Sequence, residues 1–241
     1  MIRVRADGNI TNRLVSITGE QFHHLIHVLR LQPGDCVIVT NRGDMEAPGF
    51  VKRITNQSCE IETGPVTAIS RESPLRVVLV QAVLKGDRMS WLLEKAVELG
   101  VAKIILVISQ YSVPRGDELW RERKHCRWQA IVDSAARQSG RTRSVPVYGP
   151  LSMEDIVSDR SVTTRLLLSP DPRSILFSGL SAPTSPEIWL AVGPEGGFSK
   201  EESARLVDAS WQAVSIGTRT FRADTAGLVA LTLCQYRWGD F

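Results

Sequence analysis

The sequence predicts an α/β protein with a small β-barrel domain ahead of a mostly parallel sheet covered by helices. Three observations predict this fold class. Short alternating strands fill the first seventy residues, whereas apolar strands alternate with segments of helical period from Leu75 onward. Between them, residues 63–74 are rich in Gly, Pro, Ser and Thr and have the composition of a linker. We therefore expect two domains, residues 1–72 and residues 73–241.

The first domain is predicted to be a small barrel of short strands with one helix, Glu20 to Leu29. Turn signals separate the strands, as at Pro33-Gly34-Asp35 and Arg42-Gly43-Asp44. The predicted strands are Ile2–Arg5, Leu14–Ile17, Cys36–Thr40, Gly49–Ile54 and Ser58–Glu62.

In the second domain, the helix from Asp87 to Leu99 has an apolar stripe at helical spacing and ends before Gly100, where a C-cap glycine belongs. That stripe is Met89, Leu92, Leu93, Ala96 and Val97. The other predicted elements are strands Arg76–Val83, Lys103–Ile108, Arg165–Leu168, Glu187–Val192 and Gln212–Ile216, and helices Glu118–Ser139, Ser199–Asp208 and Ala223–Tyr236. Strands that alternate with helices predict a parallel sheet with both faces covered.

Composition argues for an ordinary globular enzyme or binding protein. No run approaches the roughly 18 apolar residues of a membrane span, and the amino terminus enters a strand without a signal-peptide core. No cysteine belongs to a C-x-x-C pair, which disfavours a zinc site or a disulfide framework. We expect a cytoplasmic protein with no metal and no membrane contact. The cysteines are Cys36, Cys59, Cys126 and Cys234.

The net charge of +3 is distributed unevenly along the chain. Residues 73–145 hold thirteen Lys/Arg against seven Asp/Glu, whereas residues 1–72 are balanced at eight each and residues 146–241 hold eight against eleven. A basic middle third indicates a surface that faces a polyanion, although a solvated helix face has the same composition.

The segment with most functional information is Ile188 to Phe198. An apolar strand runs into Gly193-Pro194-Glu195-Gly196-Gly197, where three glycines leave the backbone bare. Ser199 and Glu202 then have the spacing of a capping box that opens a helix. A strand, a stripped turn and a helix amino terminus are typical of a small-molecule cradle at the carboxyl edge of a sheet, and also of a tight connection without a ligand.

A second strand-glycine-helix unit runs from Val214 through Gly217 to Ala226, with Asp224 in the first helical turn. Two such turns side by side at one sheet edge would present backbone groups to an adenine and a ribose. The spacing fits neither the dinucleotide fingerprint nor the phosphate-binding loop.

Five motifs follow one another along the chain: Lys85 to Met89, Glu94 to Val101, Gln138 to Arg141, Gly193 to Phe198 and Gly217 to Ala226. In this order they resemble the RsmE family, the 16S ribosomal RNA uridine-N3 methyltransferases of the SPOUT superfamily. The resemblance covers essentially the whole chain, and its amino-terminal part, from His24 to Asp35, is similar to the family's PUA-like RNA-binding domain.

The resemblance implies a carboxyl-terminal domain with a deep trefoil knot, a homodimer, and S-adenosylmethionine bound in the knot. Its partner would be 16S rRNA of the small ribosomal subunit. Glu195 is placed to offset the sulfonium charge, or else it is a solvated turn carboxylate. The implied cofactor-binding residues are Leu168, Ser169, Gly193, Pro194, Glu195, Gly196, Gly197, Ile216, Gly217, Thr218 and Phe221.

The expected reaction needs the proton of uridine N3 to leave, and an arginine beside the uracil carbonyls would stabilise the anion that forms. Arg219 and Arg222 are the first catalytic candidates and Arg141 is the next; phosphate contacts or surface ion pairs are the alternative roles. Thr220 and Asp224 depart from the family pattern, which expects an aliphatic residue and a Glu. Asp224 is therefore first a helix-start residue.

RNA contacts are expected from basic residues around the long helix and from the helix of the first domain. The candidates are His24, His27, Arg30, Lys85, Arg88, Arg123, Arg127 and Arg137. His23 and His27 are four residues apart, but no third ligand is near, so a metal is not expected. Trp91, Trp120 and Trp128 fit core or interface positions better than base stacking.

Two other functions remain open from the sequence. A ribose 2′-O-methyltransferase of the same superfamily also has glycine turns, although the barrel-first layout and the Lys85–Gly100 segment disfavour it. A non-catalytic assembly factor with a vestigial cofactor pocket is compatible with Thr220 and Asp224. A nucleotide-dependent kinase or hydrolase is disfavoured, since no phosphate-loop lysine is present.

Overall fold

The computed structural model describes residues 2–6, 8–10, 13–41, 45–68, 71–112, 117–159 and 161–241. The turn predicted at Arg42-Gly43-Asp44 lies outside these residues. The chain divides into two compact units, the first made of residues 1–72 and 140–144, and the second of residues 73–139 and 145–241. The short segment 140–144 therefore packs with the amino-terminal residues, which the sequence pattern does not indicate.

The first unit is built on a sheet that, within the described residues, has six strands in the order β1-β3-β4-β5-β2, with β6 paired to β4. Only the β1–β3 pair is parallel among these. Alternate residues such as Val37, Val39 and Ile61 point into a core with no exposed surface. The strands are β1 Ile2–Arg5, β2 Leu14–Thr18, β3 Cys36–Thr40, β4 Met45–Ile54, β5 Ser58–Thr63 and β6 Thr67–Ala68.

The predicted helix at Glu20–Leu29 divides into two helical types. Helix α1 spans Gly19–His23, and a π-helix continues over His24–Val28. The chain leaves the π-helix through Arg30, whose φ of 54° is left-handed, a conformation that glycine or asparagine usually occupies. Nothing in the 3.6-residue pattern distinguishes a π-helix from an α-helix, so the sequence could not predict this change.

The second unit contains seven parallel strands within its described part, in the order β11-β13-β10-β12-β7-β8-β9. The strands are β7 Arg76–Ala82, β8 Lys103–Ile108, β9 Val147–Ser152, β10 Thr164–Leu168, β11 Ile175–Leu176, β12 Glu187–Val192 and β13 Gln212–Ser215. The helices are α2 Arg88–Glu98, α3 Glu118–Gln138, α4 Met153–Ser158, α5 Lys200–Asp208 and α6 Ala223–Trp238, with a 3₁₀ turn at Phe177–Gly179.

Helices cover both faces of this sheet, as predicted. Val77 and Leu79 of β7 point into a core shared with α2, α3 and α6. Val78 and Val80, on the other face, point into a core shared with α4 and α5. Alternate residues of one strand are thus buried on opposite sides, which is why its sequence is an unbroken apolar run.

The apolar stripe predicted for α2 is confirmed, because Met89, Leu92, Leu93, Ala96 and Val97 are all buried. Gly100 follows the helix with a φ of 83°, as expected of a C-cap glycine. The Gln235 side chain of α6 donates to the Gly100 carbonyl over 3.0 Å, so this cap also ties α6 to the end of α2. No helix in the described part of the chain is both long and apolar enough to cross a bilayer.

Candidate functional site

Three loops leave one edge of the parallel sheet next to each other. Strand β10 lies between β12 and β13 and runs parallel to both, so the carboxyl ends of all three strands are at the same edge. The turns at 193–197 and 216–218 therefore flank β10, about 10 Å apart if each strand adds its usual spacing. The amide of Ser169, just after β10, donates to the Val214 carbonyl of β13 over 3.0 Å. This is the crevice in which open α/β sheets bind ligands.

The turn after β12 requires glycine for reasons of its own packing. A Cβ on Gly193 would lie 2.7 Å from the Phe198 nitrogen, so the turn could not close around a side chain. A Cβ on Gly196 would lie 3.2 Å from Cβ of Tyr111. Gly197 has a φ of 73°, and the space beside its backbone is open. The bare backbone expected from the sequence is present, but two of the three glycines also make room for protein atoms.

Gln81, near the end of β7, lies beneath this turn and is fully buried. Its side-chain nitrogen is 3.0 Å from the Ala82 carbonyl and 3.4 Å from the Gly193 carbonyl. Its side-chain oxygen has no hydrogen-bond partner within the described residues. That oxygen lies close to Gly227 of α6, since a Cβ added to Gly227 would be 3.2 Å from it. Gln81 thus connects the ends of β7 and β12, while its oxygen lies beside Gly227 of α6. Sequence reasoning missed it because a glutamine inside an apolar strand carries no motif.

Glu195 joins the turn to the loop that follows β7. Its carboxylate accepts from the Lys85 amide over 3.2 Å and lies 3.7 Å from a guanidinium nitrogen of Arg88. Lys85 and Arg88, predicted to contact RNA, are exposed beside the glycine turn. The charge of Glu195 is therefore shared with a protein cation, and its side chain remains about one-third exposed.

The turn after β13 is held by Ser215, whose hydroxyl donates to the Gly217 carbonyl over 3.0 Å. Gly217 has a φ of 131° and open space where a Cβ would stand. Arg219 and Arg222 follow it and are exposed, and Arg222 is the residue at the amino-terminal boundary of α6. Asp224 lies in the first turn of α6, as expected of a helix-start residue.

The loop after β10 is closed by an ion pair between Asp171 and Arg173. The guanidinium and the amide of Arg173 donate to the Asp171 carboxylate at 2.7 to 3.0 Å, and they lower the pKa of that carboxyl to about 2. The Asp171 amide donates to the Ser169 hydroxyl over 3.2 Å. Leu168 and Ser169 are partly buried at the start of this loop.

Arg141 belongs to the first unit, whereas the glycine turns belong to the second. It belongs to the segment that packs in the first unit, where its guanidinium forms an ion pair with Glu72 and both side chains are buried. The same carboxylate accepts the amides of Thr142 and Arg143 at 3.2 and 3.1 Å. Removing one partner of a buried, hydrogen-bonded ion pair is costly, so the contacts of Arg141 indicate a structural role.

The remaining basic candidates lie on surfaces of their own units. Arg123, Arg127 and Arg137 are exposed along α3. His24 and His27 are exposed on the π-helix of the first unit. Three tryptophans are expected at core or interface positions. Trp128 is buried in the core, and the ring centroid of Trp120 lies 6.2 Å from that of Trp128, as expected. Trp91, in contrast, is 46% exposed.

A groove of about 650 Å³ lies between α3 and β9 and is lined by residues that include Arg121, His125, Cys126 and Pro150. None of the glycine turns contributes to it, so its volume has no bearing on the crevice at the strand ends. Among the residues that the structure describes, no group of three or more His, Cys, Asp or Glu is placed to hold a metal ion.

Comparison with known proteins gives the family. Residues 71–235 match the RNA methyltransferase domain, and residues 17–63 match the RNA methyltransferase PUA domain. A relative from Bacillus subtilis, ribosomal RNA small subunit methyltransferase E, is 29% identical over 92% of this chain and 90% of its own length. The Synechocystis protein of that name is 31% identical over 95% of this chain and 75% of its length.

Solved structures of methyltransferases are similar to this chain over its whole length. The methyltransferase E of Neisseria gonorrhoeae, bound to S-adenosyl methionine, is 32% identical, covers 100% of this chain and 99% of its own, and has a TM-score of 0.89. A Legionella pneumophila methyltransferase in complex with SAM is 29% identical over the same shares, with a TM-score of 0.89. The α/β and PUA-like predictions are confirmed. With more than half of its length matched by one model, the chain belongs to the RNA methyltransferase domain family.

Proposed function

We propose that this protein is an S-adenosylmethionine-dependent methyltransferase that modifies N3 of a uridine in 16S rRNA of the small ribosomal subunit. The observation that carries the proposal is the pair of glycine turns at one sheet edge, in a chain of the RNA methyltransferase family. The names of the relatives, which specify the small subunit RNA, support the substrate. N3 as the methylated atom is supported by the motif resemblance.

The open backbone at the two turns supports cofactor binding in the crevice between them. Open space lies beside the backbone at Gly197 and at Gly217, so the chain can be approached closely at both bends. The residues that would hold the cofactor are Leu168, Ser169, Gly193, Pro194, Glu195, Gly196, Gly197, Ile216, Gly217, Thr218 and Phe221. When bound, S-adenosylmethionine supplies a methyl group that its sulfonium has already activated.

The chain's own contribution is positioning and charge stabilisation. When the N3–H proton leaves, negative charge spreads over N3 and the uracil carbonyls, and formation of the N3–carbon bond then removes that charge. Arg219 and Arg222 are exposed just beyond the second turn and bring guanidinium groups to that charge. The methyl group gained by N3 would come from the cofactor sulfonium, which would become a neutral thioether.

For the protein as a whole, we propose a cytoplasmic homodimer whose carboxyl-terminal unit is knotted. The last helix holds the loop between β10 and β12, because Arg237 donates to the carbonyls of Phe177, Ser178 and Leu180 at 2.6 to 3.1 Å. Exposed large apolar side chains, Trp91 and Tyr236 among them, support a partner copy. Light scattering tests the dimer, and a crystallographic backbone trace tests the knot.

The deciding experiment is methyl transfer from labelled cofactor to small subunits isolated from cells that lack the enzyme. Nuclease digestion and mass spectrometry then locate the methyl group. N3-methyluridine is the expected product; a 2′-O-methyl group would establish the ribose methyltransferase instead. Absence of transfer together with absence of cofactor binding by calorimetry would establish the assembly factor.

A further inference from the structure

Tyr111 lies beside the glycine turn on the loop that follows β8. Its Cβ and two ring carbons would be 3.2 to 3.5 Å from a Cβ on Gly196, so the side chain packs against the turn at a position where any larger residue would crowd it. Even so, half of Tyr111 remains exposed. An aromatic ring is therefore held against the glycine turn, on the side of β12 where β7 and β8 lie, with part of its surface in solvent.

The loop that carries Tyr111 is anchored on both sides of the ring. Ser109 and Ser112 are buried, and their hydroxyls lie 3.0 Å apart. The Gln110 amide donates over 2.7 Å to Glu202, the carboxylate that also caps α5. A side chain on so constrained a backbone loses little conformational freedom when a ligand packs against it. Gly196 and Tyr111 thus pack against each other and form one continuous surface.

We propose that Tyr111 is the stacking surface for an unstacked RNA base presented to the turn at 193–197. This rests on the proposed function, because a base can meet the methyl donor only after it leaves its helical stack. RNA-binding proteins hold such splayed bases on exposed aromatic rings, and every base offers a π-face to do so. The ring is built against the turn itself, which distinguishes it from the exposed tyrosines elsewhere in the second unit.

The test measures equilibrium binding of small-subunit rRNA by filter retention, with S-adenosylmethionine binding measured separately by calorimetry. Tyr111→Phe should bind RNA within about twofold of the parent, because the π-face remains. Tyr111→Leu keeps an apolar contact on Gly196 but lacks that face, so it should weaken RNA binding about 5- to 150-fold. Cofactor affinity should stay within about twofold in both. Tyr148→Ala is the matched control, since Tyr148 is equally exposed, at 50%, on edge strand β9.

Unchanged RNA binding by Tyr111→Leu, or equal losses of RNA and cofactor affinity, would overturn the proposal. So would a Tyr111→Phe loss as large as that of Tyr111→Leu, which would assign the effect to the hydroxyl. If the parent protein binds rRNA but transfers no methyl group, the proposed function fails. The RNA affinities of the Tyr111 variants would still decide whether Tyr111 contacts the RNA. As a direct readout, rRNA substituted with 5-iodouridine should photocrosslink to the peptide that contains residue 111.

Discussion

At the residue scale, Gln81 and Arg222 represent two kinds of residue at the crevice: Gln81 stabilises its structure, and Arg222 is proposed to act in the reaction. Gln81 is fully buried and donates to carbonyls at the ends of two neighbouring strands, so it stabilises the floor of the glycine turn. Arg222 is exposed at the start of α6, where its backbone carbonyl accepts from the amides of Thr225 and Ala226 while its guanidinium faces solvent. Substitutions at the two positions should therefore fail in different ways.

Gln81→Met should lower the free energy of unfolding by about 1–3 kcal/mol. The Ala82 and Gly193 carbonyls would lose a buried donor that a thioether cannot replace. Urea denaturation measures the loss, and Gln212→Met, at an exposed position of β13, is the control. Equal small effects at both positions would mean that the Gln81 amide does not hold the turn.

Arg222→Ala should reduce turnover at least about 100-fold while the Kd for S-adenosylmethionine changes by less than about twofold. The guanidinium is assigned to charge that develops only as the uridine reacts, and lost electrostatic stabilisation of a transition state has this magnitude. Single-turnover kinetics and calorimetry measure the two quantities. Arg205→Ala, which removes an exposed ion pair with Glu154, is the control. Parallel losses of turnover and cofactor affinity would reject the catalytic role.

At this scale the sequence could predict which residues form the turns, but only part of the reason. Gly197 and Gly217 have left-handed φ values, which a glycine in a turn suggests. The need for glycine at position 196 comes from its contact with Tyr111, a residue 85 positions earlier. The position of Arg141 comes from its ion pair with Glu72. Both contacts depend on how distant segments meet, and no local pattern encodes them.

At the element scale, α5 connects the crevice to the loop after β8. The predicted capping box is present: the Glu202 amide donates to the Ser199 hydroxyl over 3.1 Å, and the Ser199 amide donates back to Glu202 over 2.9 Å. The second oxygen of the same carboxylate accepts from Gln110. One side chain thus fixes the start of a helix and the loop that presents Tyr111.

Glu202→Ala should accelerate hydrogen exchange at the Gln110 amide, which would lose its acceptor, in addition to destabilising the protein by about 1 kcal/mol through the lost cap. Ser152→Ala removes an equivalent capping box from α4 and should cost a similar amount while exchange at Gln110 stays as in the parent. Exchange resolved by mass spectrometry distinguishes the two. Equal protection of Gln110 in both variants would contradict the link between α5 and the loop.

Helix α3 should supply phosphate contacts. Arg123 and Arg127 are exposed one turn apart, and nonspecific binding to RNA depends on such charges. The double substitution to Ala should flatten the slope of log affinity against log salt by about 1.4–1.8. Arg205→Ala on α5 is the control, and rRNA binding at several salt concentrations gives the slope. An unchanged slope would mean that α3 faces solvent only.

Elements with a clear period were predictable and those that break the rules were not. Strands Ile2–Arg5, Cys36–Thr40, Lys103–Ile108 and Glu187–Val192 have the predicted bounds. Strand β9 was missed because Gly149-Pro150 lies within it, and an edge strand tolerates proline. Helix α4 and strand β11 are too short to show a period, and their formation depends on packing against neighbours.

At the scale of the whole molecule, each unit encloses its own hydrophobic core. Each of these units has one buried cysteine in a core, so thiol reactivity can test whether that core is closed. Cys59 belongs to the core of the first unit and Cys234 to one core of the second, and neither has exposed surface. Burial raises the pKa of both thiols, that of Cys234 to about 12. Cys36 and Cys126 are exposed.

Only Cys36 and Cys126 should react rapidly with a disulfide reagent at pH 8 in the folded protein, because the thiolate is the nucleophile and the buried thiols are both protonated and inaccessible. All four should react in denaturant. The folded pKa of Cys234 lies above its unfolded value, so its contribution to the free energy of unfolding is complete below about pH 8.5 and declines as the pH rises toward 12. A variant with Cys36→Ser and Cys126→Ser should show no fast phase. Rapid labelling of Cys234 in that variant would mean that the core under α6 opens without global unfolding.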